Sequence, residues 1–118
     1  NAHIRRFSRR EDGFVAVRAD ARTGILTTRL FTFTGNQLEI NYSTSVAGSI
    51  RIALLDEAGN SLPKFALGDC PHIFGDEIVR TVRWENVNAI DVAPNQPIRL
   101  QFELTEADLF SFRFIDPD

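Results

Sequence analysis

The sequence predicts an all-β domain, a two-sheet antiparallel β-sandwich of jelly-roll-like type with about seven to eight strands and almost no helix. Three observations carry this expectation. Apolar and polar residues alternate with a period of two, most cleanly in Ile98-Arg99-Leu100-Gln101-Phe102-Glu103-Leu104, as expected of a strand with one face buried and the other wet. Clusters of turn-forming residues fall between such runs at the spacing of a sandwich. No segment sustains the periodicity of an amphipathic helix.

Taken in order, residues 14–17 give a first short run and residues 25–33 a second. Leu38-Glu39-Ile40-Asn41-Tyr42 and Ile50-Arg51-Ile52-Ala53-Leu54 alternate as the third and fourth. Residues 78–84 supply a fifth, with Val82 and Trp84 on one side, residues 98–104 a sixth, and Phe110-Ser111-Phe112-Arg113-Phe114 the last. Thr34-Gly35-Asn36, Asp56-Glu57-Ala58-Gly59-Asn60, Ala93-Pro94-Asn95-Gln96 and Thr105-Glu106-Ala107-Asp108 read as the turns between them. Residues 61–77, interrupted by Gly68, Pro71 and Gly75, read as a long connection crossing between the sheets, with a short strand near residues 64–67.

With 118 residues, 43% of them hydrophobic, the chain is large enough for one self-supporting core. Its single cysteine, Cys70, allows no internal disulfide. The longest apolar runs, residues 14–17 and 52–55, are far short of a bilayer's thickness, so neither a membrane span nor a membrane partner is expected. The first residue is Asn1 and methionine is absent, which suggests a piece of a longer protein. The formal charge is −3, yet Arg5, Arg6, Arg9 and Arg10 crowd the beginning. Residues 1–11 therefore read as a basic linker or arm and residues 12–118 as the domain. Phe7 is the single aromatic among those arginines, short of a series of stacking platforms, so nucleic acid is not expected as a partner.

Chemistry is sparse. Cys70-Pro71-His72 places a thiol beside an imidazole, but such dyads are assembled from distant parts of a chain, and a lone cysteine is more often a small buried hydrophobe. Asp69, Asp76 and Glu77 offer oxygens in one loop without the ligand spacing of a calcium site, and Asp69 and Asp76 read as turn caps. The glycines stand singly and form no phosphate loop. No catalytic residue, metal ligand or cofactor is assigned, and the chain reads as a non-enzyme.

Surface recognition remains. Alternation points Glu39, Asn41, Ser43, Arg51, Arg99, Gln101, Glu103, Ser111 and Arg113 outward. This is what any solvated sheet presents, and it is also the mixture of planar donors and acceptors that suits sugar hydroxyls. Asn41, Arg51, Arg99, Gln101 and Glu103 are the candidate ligand-binding residues, with Phe74 as an aromatic platform. Tyr42 and Trp84 share phase with core residues, and Phe65 and Phe74 lie in the long connection, where they either plug the core or project. Phe7 and Phe14 would seat the incoming chain, and Phe31, Phe33, Phe102, Phe110, Phe112 and Phe114 read as inward-facing. Leu30 and Leu55 fall out of phase and would feed an apolar patch.

Several phrases carry a family resemblance: Asp12-Gly13-Phe14, Gly24-Ile25-Leu26-Thr27-Thr28, Ala47-Gly48-Ser49-Ile50-Arg51, Gly68-Asp69-Cys70, Gly75-Asp76, Val82-Arg83-Trp84, Pro97-Ile98-Arg99-Leu100 and Ala107-Asp108-Leu109-Phe110-Ser111-Phe112. Together they resemble the C-terminal β-sandwich regions of bacterial glycosidase-like proteins, including some whose main domain is similar to the fructosidase propellers. The resemblance implies a non-catalytic accessory domain of a carbohydrate-active protein. Such a domain either binds a polysaccharide or oligosaccharide as a carbohydrate-binding module, or packs against the adjacent catalytic domain and stabilises it. It also tilts the expected compartment toward a secreted or periplasmic bacterial setting.

Overall fold

In the computed structural model the described residues are 2–9, 12–85, 87, 89–92 and 96–116, with side chains described from residue 23 onward. They form β1 (Ala2–Arg9), β2 (Asp12–Thr27), β3 (Gln37–Leu55), β4 (Asp76–Val82) and β5 (Arg99–Ile115), with one 3₁₀ turn at Leu67–Asp69. All pairings are antiparallel, in a single sheet of order β1-β2-β5-β3-β4. The basic segment contributes β1, which pairs with the start of β2. The predicted turn at residues 93–95 and the side chains of Phe7 and Phe14 lie outside the described residues.

The all-β, antiparallel expectation is met, but five strands in one sheet replace seven or eight in two. The predicted runs are fused pairwise: 14–17 with 25–27 in β2, 38–42 with 50–54 in β3, and 99–104 with 110–114 in β5. What read as turns between them are irregularities inside continuous strands. All three strands slip register along one line: Ala19/Thr23 on β2, Thr44/Ser49 on β3, and Glu106 on β5, between the paired Thr105 and Ala107. A second slip leaves Phe110 unpaired, with Asn41 opposite Ser111 and Tyr42 opposite Leu109. Extra residues at matched positions bend a sheet sharply.

How sharply is shown by Phe102 and Phe112 on β5. Ten residues of straight strand span about 33 Å, yet the two ring centroids are 5.6 Å apart. The sheet is folded over on itself, and its inner surface makes one core in which Leu38, Ile40 and Tyr42 lie with Ile50, Ile52 and Leu54 of the same strand. Each slip also resets the alternation, so that Leu100, Phe102 and Leu104, then Ala107 and Leu109, then Phe112 and Phe114 are all buried. Phe110, expected inward, is 44% exposed because the slip beside it leaves it on the outside.

Gly48 sits at the fold line. A Cβ there would come within 2.3 Å of the Glu106 carbonyl oxygen and 2.6 Å of that of Thr105. Glu106 itself adopts φ 43°, and its carboxylate accepts a hydrogen bond from Ser45 Oγ at 3.0 Å.

The connection after β3 straps the core. Phe65, Cys70 and Ile73 are buried, and Phe65 meets Trp84 edge-on at 5.2 Å. Trp84 Nε1 donates to the Ile52 carbonyl at 2.8 Å, so its buried polar atom is satisfied. The expected strand near residues 64–67 is absent from the described structure; Leu54 instead exchanges backbone hydrogen bonds with Leu62 and Phe65. That strap, with the Leu55–Ser61 bridge, accounts for the burial of Leu55, which was expected on an exposed patch. β2 ends at Thr27, short of residue 33, and Phe31 meets Ile98 in a lone bridge.

Replacing Gly48 with alanine should destabilise the protein by about 1–3 kcal/mol through overpacking against the β5 backbone. Gly68→Ala, with nothing within 4 Å of its added Cβ, should stay within about 0.5 kcal/mol of wild type. Urea denaturation of both variants checks this, and equal effects would show that the fold line does not depend on the close approach.

Candidate functional site

The outer face beyond the fold line is built in rows. Register sets Thr23, Thr105 and Ser49 abreast, then Ile25, Glu103 and Arg51, then Thr27, Gln101 and Ala53. The rows are largely polar because these positions alternate with Leu26, Phe102, Leu104, Ile50 and Ile52, which fill the core. Arg51 Nε donates to Glu103 Oε1 at 2.7 Å, a directly opposed cross-strand pair with side chains 26% and 20% exposed. Thr23 and Thr105 hydroxyls meet at 2.8 Å. Gln101 makes no side-chain hydrogen bond among the described residues. Arg99 is turned away, donating to the Thr28 carbonyl at 3.2 Å, where it ties down the chain leaving β2.

The strap brings two rings to this face. Ile73 exchanges backbone hydrogen bonds with Ile50, and Gly75 accepts one from Thr44 N. A three-residue segment thus spans what β3 covers in seven. It places His72 Nδ1 3.0 Å from Ser49 Oγ and leaves Phe74 58% exposed. The His72 and Phe74 rings lie 24° from parallel with centroids 6.1 Å apart. Tyr42 is buried, but its hydroxyl reaches the Phe74 carbonyl oxygen at 2.6 Å and fixes the backbone beneath that ring.

The same hydroxyl lies 3.0 Å from Glu77 Oε2, which also accepts from Arg80 at 2.7 Å. Arg80, and then the Tyr42 hydroxyl, hold the Glu77 carboxyl below the usual carboxylate range. Burial, followed by the Glu77 hydrogen bond, raises the Tyr42 phenol, which stays neutral.

Of the predicted residues, Arg51, Gln101 and Glu103 are neighbours on one face, and Phe74 stands at its edge beside His72. Asn41 lies across the fold line, in a groove with Glu39, Ile78, Val79, Ser111 and Arg113. Sequence reasoning missed the Ser49–His72 contact, which joins residues far apart in the chain. It also missed the groove, although adjacent Ile78 and Val79 in an alternating strand required at least one to face water.

Cys70 is buried, with its Sγ 3.5 Å from the Pro71 carbonyl oxygen, and burial raises its pKa. His72 turns instead to Ser49, so Cys70 and His72 do not form a dyad. Asp69 accepts a hydrogen bond from the Ala66 amide at 3.1 Å, as a turn cap. Among the described residues, no group of three His, Cys, Asp or Glu side chains converges as a metal site. No described helix is long and apolar enough to cross a membrane. Comparison with protein-family models, curated proteins and solved structures finds no match.

A carboxyl whose folded pKa lies below its unfolded value stabilises the fold above the unfolded pKa, and that stability is lost as pH falls through the folded pKa. Wild type should therefore exceed Glu77→Gln in stability at neutral pH, with the gap closing as pH drops below about 4.3, the ordinary glutamate value. Thermal melts of both proteins from pH 7 to pH 2.5 measure it; a gap constant with pH would remove the ion pair as its cause.

Proposed function

We propose that the chain is a non-catalytic accessory domain of a carbohydrate-active protein, acting as a carbohydrate-binding module on the outer face of β2, β5 and β3. The carrying observation is the exposed Phe74 ring, paired with His72 and set beside the row of Ser49, Arg51 and Glu103. A pyranose has an apolar face and an equatorial rim of hydroxyls. An exposed ring can stack on the first, while Gln101, Ser49, and the spare capacity of Arg51 and Glu103 supply donors and acceptors to the second. The Tyr42 hydrogen bond to the Phe74 carbonyl keeps the platform in place before a ligand arrives, which lowers the ordering cost of binding.

The sequence resemblance to glycosidase-associated sandwiches supports the same reading. A second reading, a structural partner packed against an adjacent catalytic domain, draws on Ile25, 52% exposed on β2 at the edge of this face, and on Phe110.

Isothermal titration of the chain with neutral plant, algal and microbial oligosaccharides should reveal binding to one glycan class. Phe74→Ala and Gln101→Ala should each weaken it about tenfold, the scale of one aromatic contact or one hydrogen bond. Binding that neither substitution changes would place the ligand elsewhere, and no binding to any glycan would favour the structural partner.

A further inference from the structure

We infer a second and separate sugar seat across the fold line, in the groove over β3 between β4 and β5, shaped for one ring of a neutral polyhydroxylated ligand. The inference rests on the saccharide reading above but uses different residues.

The groove originates in a bulge on the edge strand. Ile40 pairs with Arg80 and Tyr42 with Glu77, so Asn41 faces both Ile78 and Val79. Two residues opposite one bend the longer strand and displace its side chains. Ile78 and Val79 form one wall, 79% and 52% exposed. Ser111 and Arg113 of β5 form the other, and Glu39 and Asn41 of β3 the floor, enclosing about 280 Å³. Beneath the bulge, the Glu77–Arg80 pair at 2.7 Å and the Tyr42 hydroxyl join the residues on either side of it. The wall is therefore set before anything binds.

The chemistry selects the ligand. Arg113 Nε donates to Glu39 Oε1 at 2.9 Å, so the two charges offset one another. The terminal guanidinium nitrogens, Glu39 Oε2, the Asn41 amide and the Ser111 hydroxyl have no hydrogen-bond partner among the described residues. Among the described residues, donors and acceptors thus line a floor and far wall whose Glu39 and Arg113 charges are paired, facing two aliphatic side chains. An anion that met the free guanidinium nitrogens would be opposed by the neighbouring Glu39 carboxylate, and a cation at Glu39 Oε2 by Arg113. A sugar ring would not, because its hydroxyls both donate and accept and its C–H face can lie against Ile78 and Val79. An extended peptide is disfavoured because the bulge interrupts the β4 edge to which it would have to add.

Amide chemical-shift mapping of the full chain tests the seat, with glucose, galactose, mannose, fructose and their disaccharides as probes, and glycine and inorganic phosphate as charged controls. Expected is a set of shifts at residues 39–41, 78–79 and 111–113 that Asn41→Ala weakens about tenfold and Phe74→Ala leaves unchanged. Shifts near Phe74 alone would overturn the groove while leaving the module reading intact. Groove shifts alone would support the seat and remove the Phe74 face. Groove shifts abolished by Phe74→Ala, tighter binding of glycine or phosphate, or no shift with any sugar would each overturn the inference. An unchanged amide dispersion in Asn41→Ala confirms that the variant is folded.

Discussion

The close approach of Gly48 to the carbonyls of Thr105 and Glu106 is the constraint on which this architecture depends. β3 and β5 are paired on both sides of that point and slip past one another at it. Without the slip the two strands would run on as a long, twisted ribbon with a greasy face open to water. With it, the ribbon doubles back, and residues from the two halves of each strand bury one another. Hydrophobic burial is the dominant favourable term in folding, and here one backbone contact allows the sheet to achieve it. The strap then seals the open side with Phe65, Cys70 and Ile73, and Trp84, just after β4, packs against Phe65.

The same fold line sorts the surface. On one side lie the paired rings and the Arg51–Glu103 row; on the other lies the groove bounded by the β4 bulge. Both owe their form to departures from a regular ladder, the first to a strap that short-cuts β3 and the second to an extra residue in β4. Regular sheet supplies the rigid base, and irregular positions aim the groups that can meet a ligand.

Much of the architecture was legible in the sequence, because period-two alternation depends on local burial and survives any arrangement of the strands. Leu38, Ile40, Ile50, Ile52, Leu100 and Phe102 are buried as their alternation requires. Continuity was not legible. Thr105-Glu106-Ala107-Asp108 carries the composition of a turn, and only the pairing of both its flanks with the same neighbouring strands shows it to be a bulge. Phe110 was misplaced for the same reason: it is itself the unpaired residue, and the expected phase resumes at Phe112 and Phe114. The site was legible where a single strand pair builds it, as at Arg51 and Glu103. It was hidden where distant segments meet, as at Ser49 with His72, or where a bulge opens a gap, as beside Asn41.

The position of β5 has a consequence for how the molecule is made. It is the central strand of the sheet, paired with β2 on one side and β3 on the other, and it follows both in the chain. During synthesis from the N-terminus, β2 and β3 emerge without the partner that separates them in the finished sheet. Their apolar faces stay uncovered until β5 has emerged to pair with both, because loop closure comes before the gain from non-local pairing. The decisive pairing of this domain thus waits for β5, and the half-made sheet is exposed over that interval.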